Sequence, residues 1–134
     1  IDEINNINKI PIVGRVAAGS PITAEENIEG SIVIDPGFLK KDADSFALKV
    51  KGDSMIDAGI FEGDLVIISP KAITANGDII VARIEDEVTV KIYENKKQQI
   101  RLIPQNKSYE PIVIKNKNEF SIVGKVTGVL RWLN

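Results

Sequence analysis

Short apolar runs rich in Ile and Val recur along this chain, each closed by a cluster of Gly, Pro, Asn or Asp. β-Branched runs with this turn punctuation predict strands. They fall at Ile10–Val16, Ser31–Ile34, Phe46–Val50, Leu65–Ile68, Ile79–Ile84, Val88–Tyr93, Ile100–Ile103, Ile112–Ile114 and Phe120–Trp132. Pro11 disfavours a helix in the first run. Asp35-Pro36-Gly37 and Asn76-Gly77-Asp78 are turn signals. The acidic stretch Glu85-Asp86-Glu87 reads as the tip of a β-hairpin, and Lys96-Lys97 as a solvated hairpin turn. Only Met55–Ile60 suggests helix, for one or two turns. Residues 1–9, with Asn5, Asn6 and Asn8, read as a linker remnant. Residues 10–134 then form a single mostly β domain of short strands with minimal helix. The last strand, long and apolar, is expected to offer an edge to another chain. No internal repeat interrupts this picture.

Composition narrows the class. A chain of 134 residues with 43% hydrophobic and 27% charged positions can bury a real core as one domain. Its net charge of −2 and pI near 5.2 leave no basic footprint for nucleic acid. No apolar run approaches the length of a membrane span, and the polar N-terminal stretch lacks a signal pattern. The absence of cysteine gives no disulfide framework and no sign of export. A cytoplasmic location with no membrane contact is expected. The chain begins without Met, as expected of a fragment of a longer protein.

Chemistry is narrowed further, because the chain has neither histidine nor cysteine. Ser-His-Asp and Cys-His catalysis are closed to it, as is a His/Cys zinc site, so no metal or cofactor is expected. A hydroxyl activated by a desolvated lysine remains open. Ser54, in Val50-Lys51-Gly52-Asp53-Ser54-Met55, suits that role, since a turn start exposes backbone N–H groups for an oxyanion. The same position suits an ordinary helix N-cap. Lys91 alternates with Val88, Val90 and Ile92 and so shares a face with Thr89 and Tyr93. That face is either solvated or the floor of a cleft. The Ala18-Gly19 bond lies in an apolar small-residue segment, Val13-Gly14-Arg15-Val16-Ala17-Ala18-Gly19-Ser20-Pro21, that a narrow pocket could accept. An ordinary strand ending at a Gly-Ser-Pro turn would look alike.

Taken together, these pieces are more specific than any one of them. Val13-Gly14-Arg15-Val16-Ala17-Ala18-Gly19, then Gly52-Asp53-Ser54-Met55, then Ala82-Arg83-Ile84-Glu85-Asp86-Glu87-Val88-Thr89-Val90-Lys91, resemble the C-terminal domain of the LexA repressor family. The resemblance runs from about Ile10 to Leu133, with 35 residues from Gly19 to Ser54 and 37 from Ser54 to Lys91. It implies a compact LexA/signal-peptidase-like β fold and a bacterial SOS-response repressor that cuts itself when a RecA filament engages it. In that reading Ser54 is the nucleophile, Lys91 the general base, Ala18-Gly19 the cleaved bond, and backbone N–H groups of Asp53 and Ser54 the oxyanion site. The resemblance also implies a homodimer through the C-terminal strand. The winged helix-turn-helix of such repressors has no counterpart here, so operator DNA binding is expected only of a longer parent. A UmuD-like polymerase accessory protein and a phage-repressor-type dimerisation module are the alternatives.

Overall fold

The computed structural model describes residues 9–39 and 42–133. It contains one sheet of nine strands: β1 (Lys9–Val13), β2 (Ile28–Val33), β3 (Phe46–Lys49), β4 (Leu65–Ser69), β5 (Ile79–Ile84), β6 (Glu87–Lys96), β7 (Gln99–Ile103), β8 (Ile112–Ile114) and β9 (Phe120–Leu130). Their order across the sheet is β2-β1-β3-β4-β9-β5-β6-β7-β8. All pairings are antiparallel except β1 with β3, which run parallel through Ile12–Ala47 and Val13–Leu48. Among the described residues, helical structure is confined to four short 3-10 turns. Among the described residues no helix is long and apolar enough to cross a membrane.

The strands bury apolar residues in three clusters. The largest joins Val13, Phe46, Leu48, Met55, Ile60, Val66, Ile68, Val81 and Val90 and underlies the loop that carries Ser54. A second, on the opposite face of the β5–β6 pair, joins Ile80, Ala82, Ile100, Leu102 and Ile114. The third packs Ile10, Leu39, Ala47 and Ile67 near the β1–β3 junction. Residue spacing explains the division: alternate positions of β5 and β6 feed opposite clusters, so both faces of this hairpin are covered.

The expected strands are present, with shifted ends. The first stops at Val13, where the chain leaves the sheet and the Gly14 N–H turns to the Asn27 carbonyl, 3.0 Å away. The second starts three residues early, at Ile28, after an unforeseen 3-10 turn at Glu25–Asn27. The β6 strand runs on through Lys96, which places the hairpin turn at Lys97-Gln98, both with positive φ. Two such central residues give the turn the twist that a two-residue hairpin needs. Of the expected linker, residues 1–8 lie outside the described residues, and Lys9 already opens β1.

The long C-terminal strand is an edge over half its length. β4 pairs with Lys125–Leu130 of β9 and β5 with Phe120–Lys125, so only Lys125 has strand partners on both sides. The side of Val126–Leu130 that faces away from β4 has no strand partner among the described residues. The outermost strands of the sheet are β2 and β8.

Candidate active site: a serine and a buried lysine

Ser54 stands on the loop that leaves β3, and its neighbours fix that loop from three sides. Val50 donates to the Asp64 carbonyl and accepts from Gly63, closing the end of the strand. Gly52 takes a positive φ of 79°, open to glycine at little cost, and its N–H reaches the Glu62 carboxylate at 2.9 Å. Met55, 2% exposed, sinks into the core directly after the serine. From the far side the segment after β7 straps the loop down. The Gln105 N–H donates to the Ser54 carbonyl at 2.7 Å, and the Asn106 side chain to the Asp53 carbonyl at 2.9 Å. The Tyr109 hydroxyl donates to the Asp53 carboxylate at 2.5 Å, and that contact raises the phenol pKa above its ordinary value. Nothing in the Gly-Asp-Ser stretch announces this strap, since its residues lie some fifty positions away.

Ser54 is not a helix cap. The 3-10 turn that follows spans Ile56–Ala58, its N-cap is Met55, and no side chain caps it. The Ser54 hydroxyl instead accepts a hydrogen bond from Lys91 Nζ at 3.0 Å. The N–H groups of Asp53 and Ser54 donate to no acceptor among the described residues.

Lys91 lies in β6 opposite Ile80 and is 7% exposed. Its face carries the buried cross-strand neighbours Ile80, Ala82 and Leu102, paired with Lys91, Thr89 and Tyr93, so Lys91 sits among apolar side chains. Thr89, two residues back on the same face, accepts a second hydrogen bond from Nζ at 2.5 Å. No carboxylate pairs with Lys91 among the described residues. Burial without a counter-charge penalises the ammonium, so the lysine pKa is lowered from its ordinary value. Deprotonated, Nζ has a lone pair within proton-transfer reach of the Ser54 hydroxyl. Beside the pair lies a cavity of about 120 Å³ lined by Val16, Leu48, Ser54, Met55, Val88 and Thr89.

Val16, which lines this cavity, lies two residues before the Ala18-Gly19 bond. Ala17–Ser20 then forms a turn, closed by Ser20 N–H to Ala17 O at 3.2 Å, with Gly19 at φ +77°. Ala18 and Gly19 are exposed, and no hydrogen bond joins either to Ser54 or Lys91. The turn is tied instead to the β5–β6 hairpin. Arg83 donates to Ser20 O at 2.6 Å and Ala17 O at 3.3 Å, while the Gly19 N–H reaches Asp86 at 3.3 Å. The structure thus joins Ser54 to Lys91 directly, and fixes the Ala18-Gly19 bond to the same hairpin that carries Lys91.

Residues 11–127 match the family model described as Peptidase S24-like. The chain belongs to the peptidase S24-like family. It is 50% identical over 135 residues to a LexA repressor of Clostridium perfringens, a match covering 98% of this chain and 65% of that protein. A LexA repressor of Geotalea uraniireducens is 54% identical over 125 residues, covering 92% and 62%. One from Bordetella pertussis is 48% identical over 122 residues, covering 91% and 56%. The chain therefore spans about three fifths of the length of the curated relatives it matches. Residues the sequence reading did not single out also shape this S24-like site: Thr89, Asn27, Arg83, Asp86 and the 105–109 strap. Only Thr89 carried a signal, its i, i+2 spacing from Lys91.

Proposed function

We propose that this is the self-cleaving peptidase domain of a LexA-type repressor, cutting its own Ala18-Gly19 bond. The observation that carries the reading is a buried lysine with no counter-charge, 3.0 Å from a serine hydroxyl, in a chain without histidine or cysteine. In the reaction, neutral Lys91 Nζ takes the Ser54 proton as Oγ attacks the Ala18 carbonyl carbon. The backbone N–H groups of Asp53 and Ser54 receive the oxyanion. Collapse of the tetrahedral adduct breaks the C–N bond, and the proton held on Lys91 passes to the departing Gly19 nitrogen. Lys91 next deprotonates a water that attacks the Ser54 ester, freeing an Ala18 carboxylate and restoring the hydroxyl.

The relatives' name, repressor, supplies the biological setting. In a longer parent a separate N-terminal module binds operator DNA, this domain dimerises, and the cut separates the two in the cytoplasm. Engagement of a RecA filament is the trigger. The dimer contact uses the C-terminal end of β9 and the residues beyond it, where the strand pairs on one side only and Val129, Trp132 and Leu133 are exposed. Incubation of the purified chain at alkaline pH tests the chemistry without a partner. Mass spectrometry should find two fragments joined in the parent at Ala18-Gly19, and none from Ser54→Ala. An intact chain would leave a binding module only.

A further inference from the structure

The turn that carries Ala18-Gly19 is organised by one buried side chain. Asn27, 3% exposed, ends the 3-10 turn just before β2. Its Oδ1 accepts the Ala17 N–H at 2.9 Å. Its Nδ2 donates to Ser20 Oγ at 3.1 Å, Pro21 O at 2.9 Å and Ile22 O at 3.2 Å. Its backbone carbonyl also accepts from Gly14, so the residue grips both ends of the loop between β1 and β2. The task requires a donor and an acceptor on one short side chain, which an amide supplies and a carboxylate or an aliphatic group does not.

The other polar groups of the loop show what this grip achieves. Ala17 O accepts from the Ser20 N–H, the Ser20 hydroxyl and Arg83. Ser20 O accepts from Arg83, and Pro21 O and Ile22 O from Asn27. Among the carbonyls of residues 17–22, those of Ala18 and Gly19 alone have no donor among the described residues. The carbonyl to be attacked can therefore enter an oxyanion site without first breaking a bond inside the turn. Fixing the rest of the turn in advance lowers the ordering cost of bringing that bond to the serine.

We infer that Asn27 is a positioning residue for self-cleavage, its side-chain amide pre-forming the Ala17–Ser20 turn that presents the Ala18 carbonyl. The inference rests on the reading that Ser54 cuts Ala18-Gly19. Asn27 touches neither the serine nor the lysine and acts through the loop alone. Its loss should slow the reaction of the tethered bond and leave the reactivity of the serine towards a small free electrophile unchanged.

The test uses the full chain at a pH where the wild-type cutting rate has reached its plateau. Three quantities are followed: fragment formation, labelling of Ser54 by a fluorophosphonate, and thermal unfolding. Asn27→Asp loses the Nδ2 donor to Ser20, Pro21 and Ile22, Asn27→Ala loses the acceptor for Ala17 as well, and each should cut about tenfold to a hundredfold more slowly. Labelling of Ser54 should stay within about twofold of wild type, a small change on the rate scale. A wild-type plateau rate in both variants overturns the inference, as does a parallel loss of labelling in a cooperatively folded variant. If neither variant folds, Ser20→Ala decides, because it removes one partner of Asn27 at the turn itself. A rate about threefold to tenfold lower with normal labelling is then expected, and an unchanged rate refutes the positioning role. Failure of the wild-type chain to cut between Ala18 and Gly19 refutes the underlying reading instead, so the two failures are distinguishable.

Discussion

At the scale of single residues, the proposed chemistry depends on the protonation state of Lys91. A free lysine of pKa about 10.4 is neutral in roughly one molecule in 2,500 at pH 7. Burial lowers this pKa, so the self-cleavage rate should climb with pH and reach half its plateau below the free-lysine value. The same shift affects stability. Between the lowered folded value and about 10.4 the unfolded chain binds more protons, so the Lys91 contribution to stability rises with pH across that window. Lys91→Arg should be inactive near neutrality, because guanidinium stays protonated there. A rate flat from about pH 6 to 10, or a fully active Lys91→Ala, would remove the lysine from the mechanism, since a general base must titrate with the rate. Ser54→Ala should abolish cutting and leave the unfolding midpoint nearly unchanged, as it deletes one hydroxyl and no apolar contact.

At the scale of the elements, β9 holds the two halves of the sheet together, and one glycine lets it approach β4. A Cβ on Gly124 would lie 2.6 Å from Ile68 Cγ2, 2.8 Å from Ser69 O and 3.0 Å from Pro70 Cα. Two of these are backbone atoms that cannot swing aside. Gly124→Ala should therefore destabilise the domain by about 1–3 kcal/mol, as overpacking does. Gly128, on the same strand, has its nearest neighbours at 3.6 and 3.7 Å, an ordinary contact distance. Gly128→Ala is the control and should shift stability by about 0.5 kcal/mol or less. Equal denaturation midpoints for the two variants would contradict this account of the β4–β9 contact.

At the scale of the whole molecule, the C-terminal half of β9 offers another chain an open strand side, since Val126–Leu130 pair with β4 alone. Val33, Phe38 and Val129 surround an open apolar groove beside the end of that strand, and Trp132 and Leu133 are exposed just beyond it. A two-fold contact over this region would bury them and hold together two copies of a longer parent. Sedimentation should show a dimer at high micromolar concentration, and Val129→Asp should shift it to monomer, because a buried unpaired charge opposes the contact. A wild-type chain that stays monomeric under those conditions argues against the dimer. Cutting at Ala18-Gly19 leaves this surface intact, so the larger fragment should still dimerise.

The sequence by itself determined the fold class and narrowed the chemistry by what it lacks. Alternating apolar runs between Gly, Pro and Asn clusters specify strands locally, through side-chain period and turn geometry, and the expected strands are present. The lack of histidine and cysteine is likewise a property of the chain alone. Distances across the chain belong to the tertiary structure. Alternation placed Lys91 on a face with Thr89, but only the pairing of β6 with β5 and β7 set Lys91 among the buried Ile80, Ala82 and Leu102. Only the strap from Gln105 to Tyr109 decided where the Ser54 loop sits. An apolar composition made β9 look like an edge, but only long-range pairing decided that its first half is joined to β5 while Val126–Leu130 keep one side open. Asn27 carried no local signal, because one amide serving Ala17, Ser20, Pro21 and Ile22 becomes visible only when the loop closes on it.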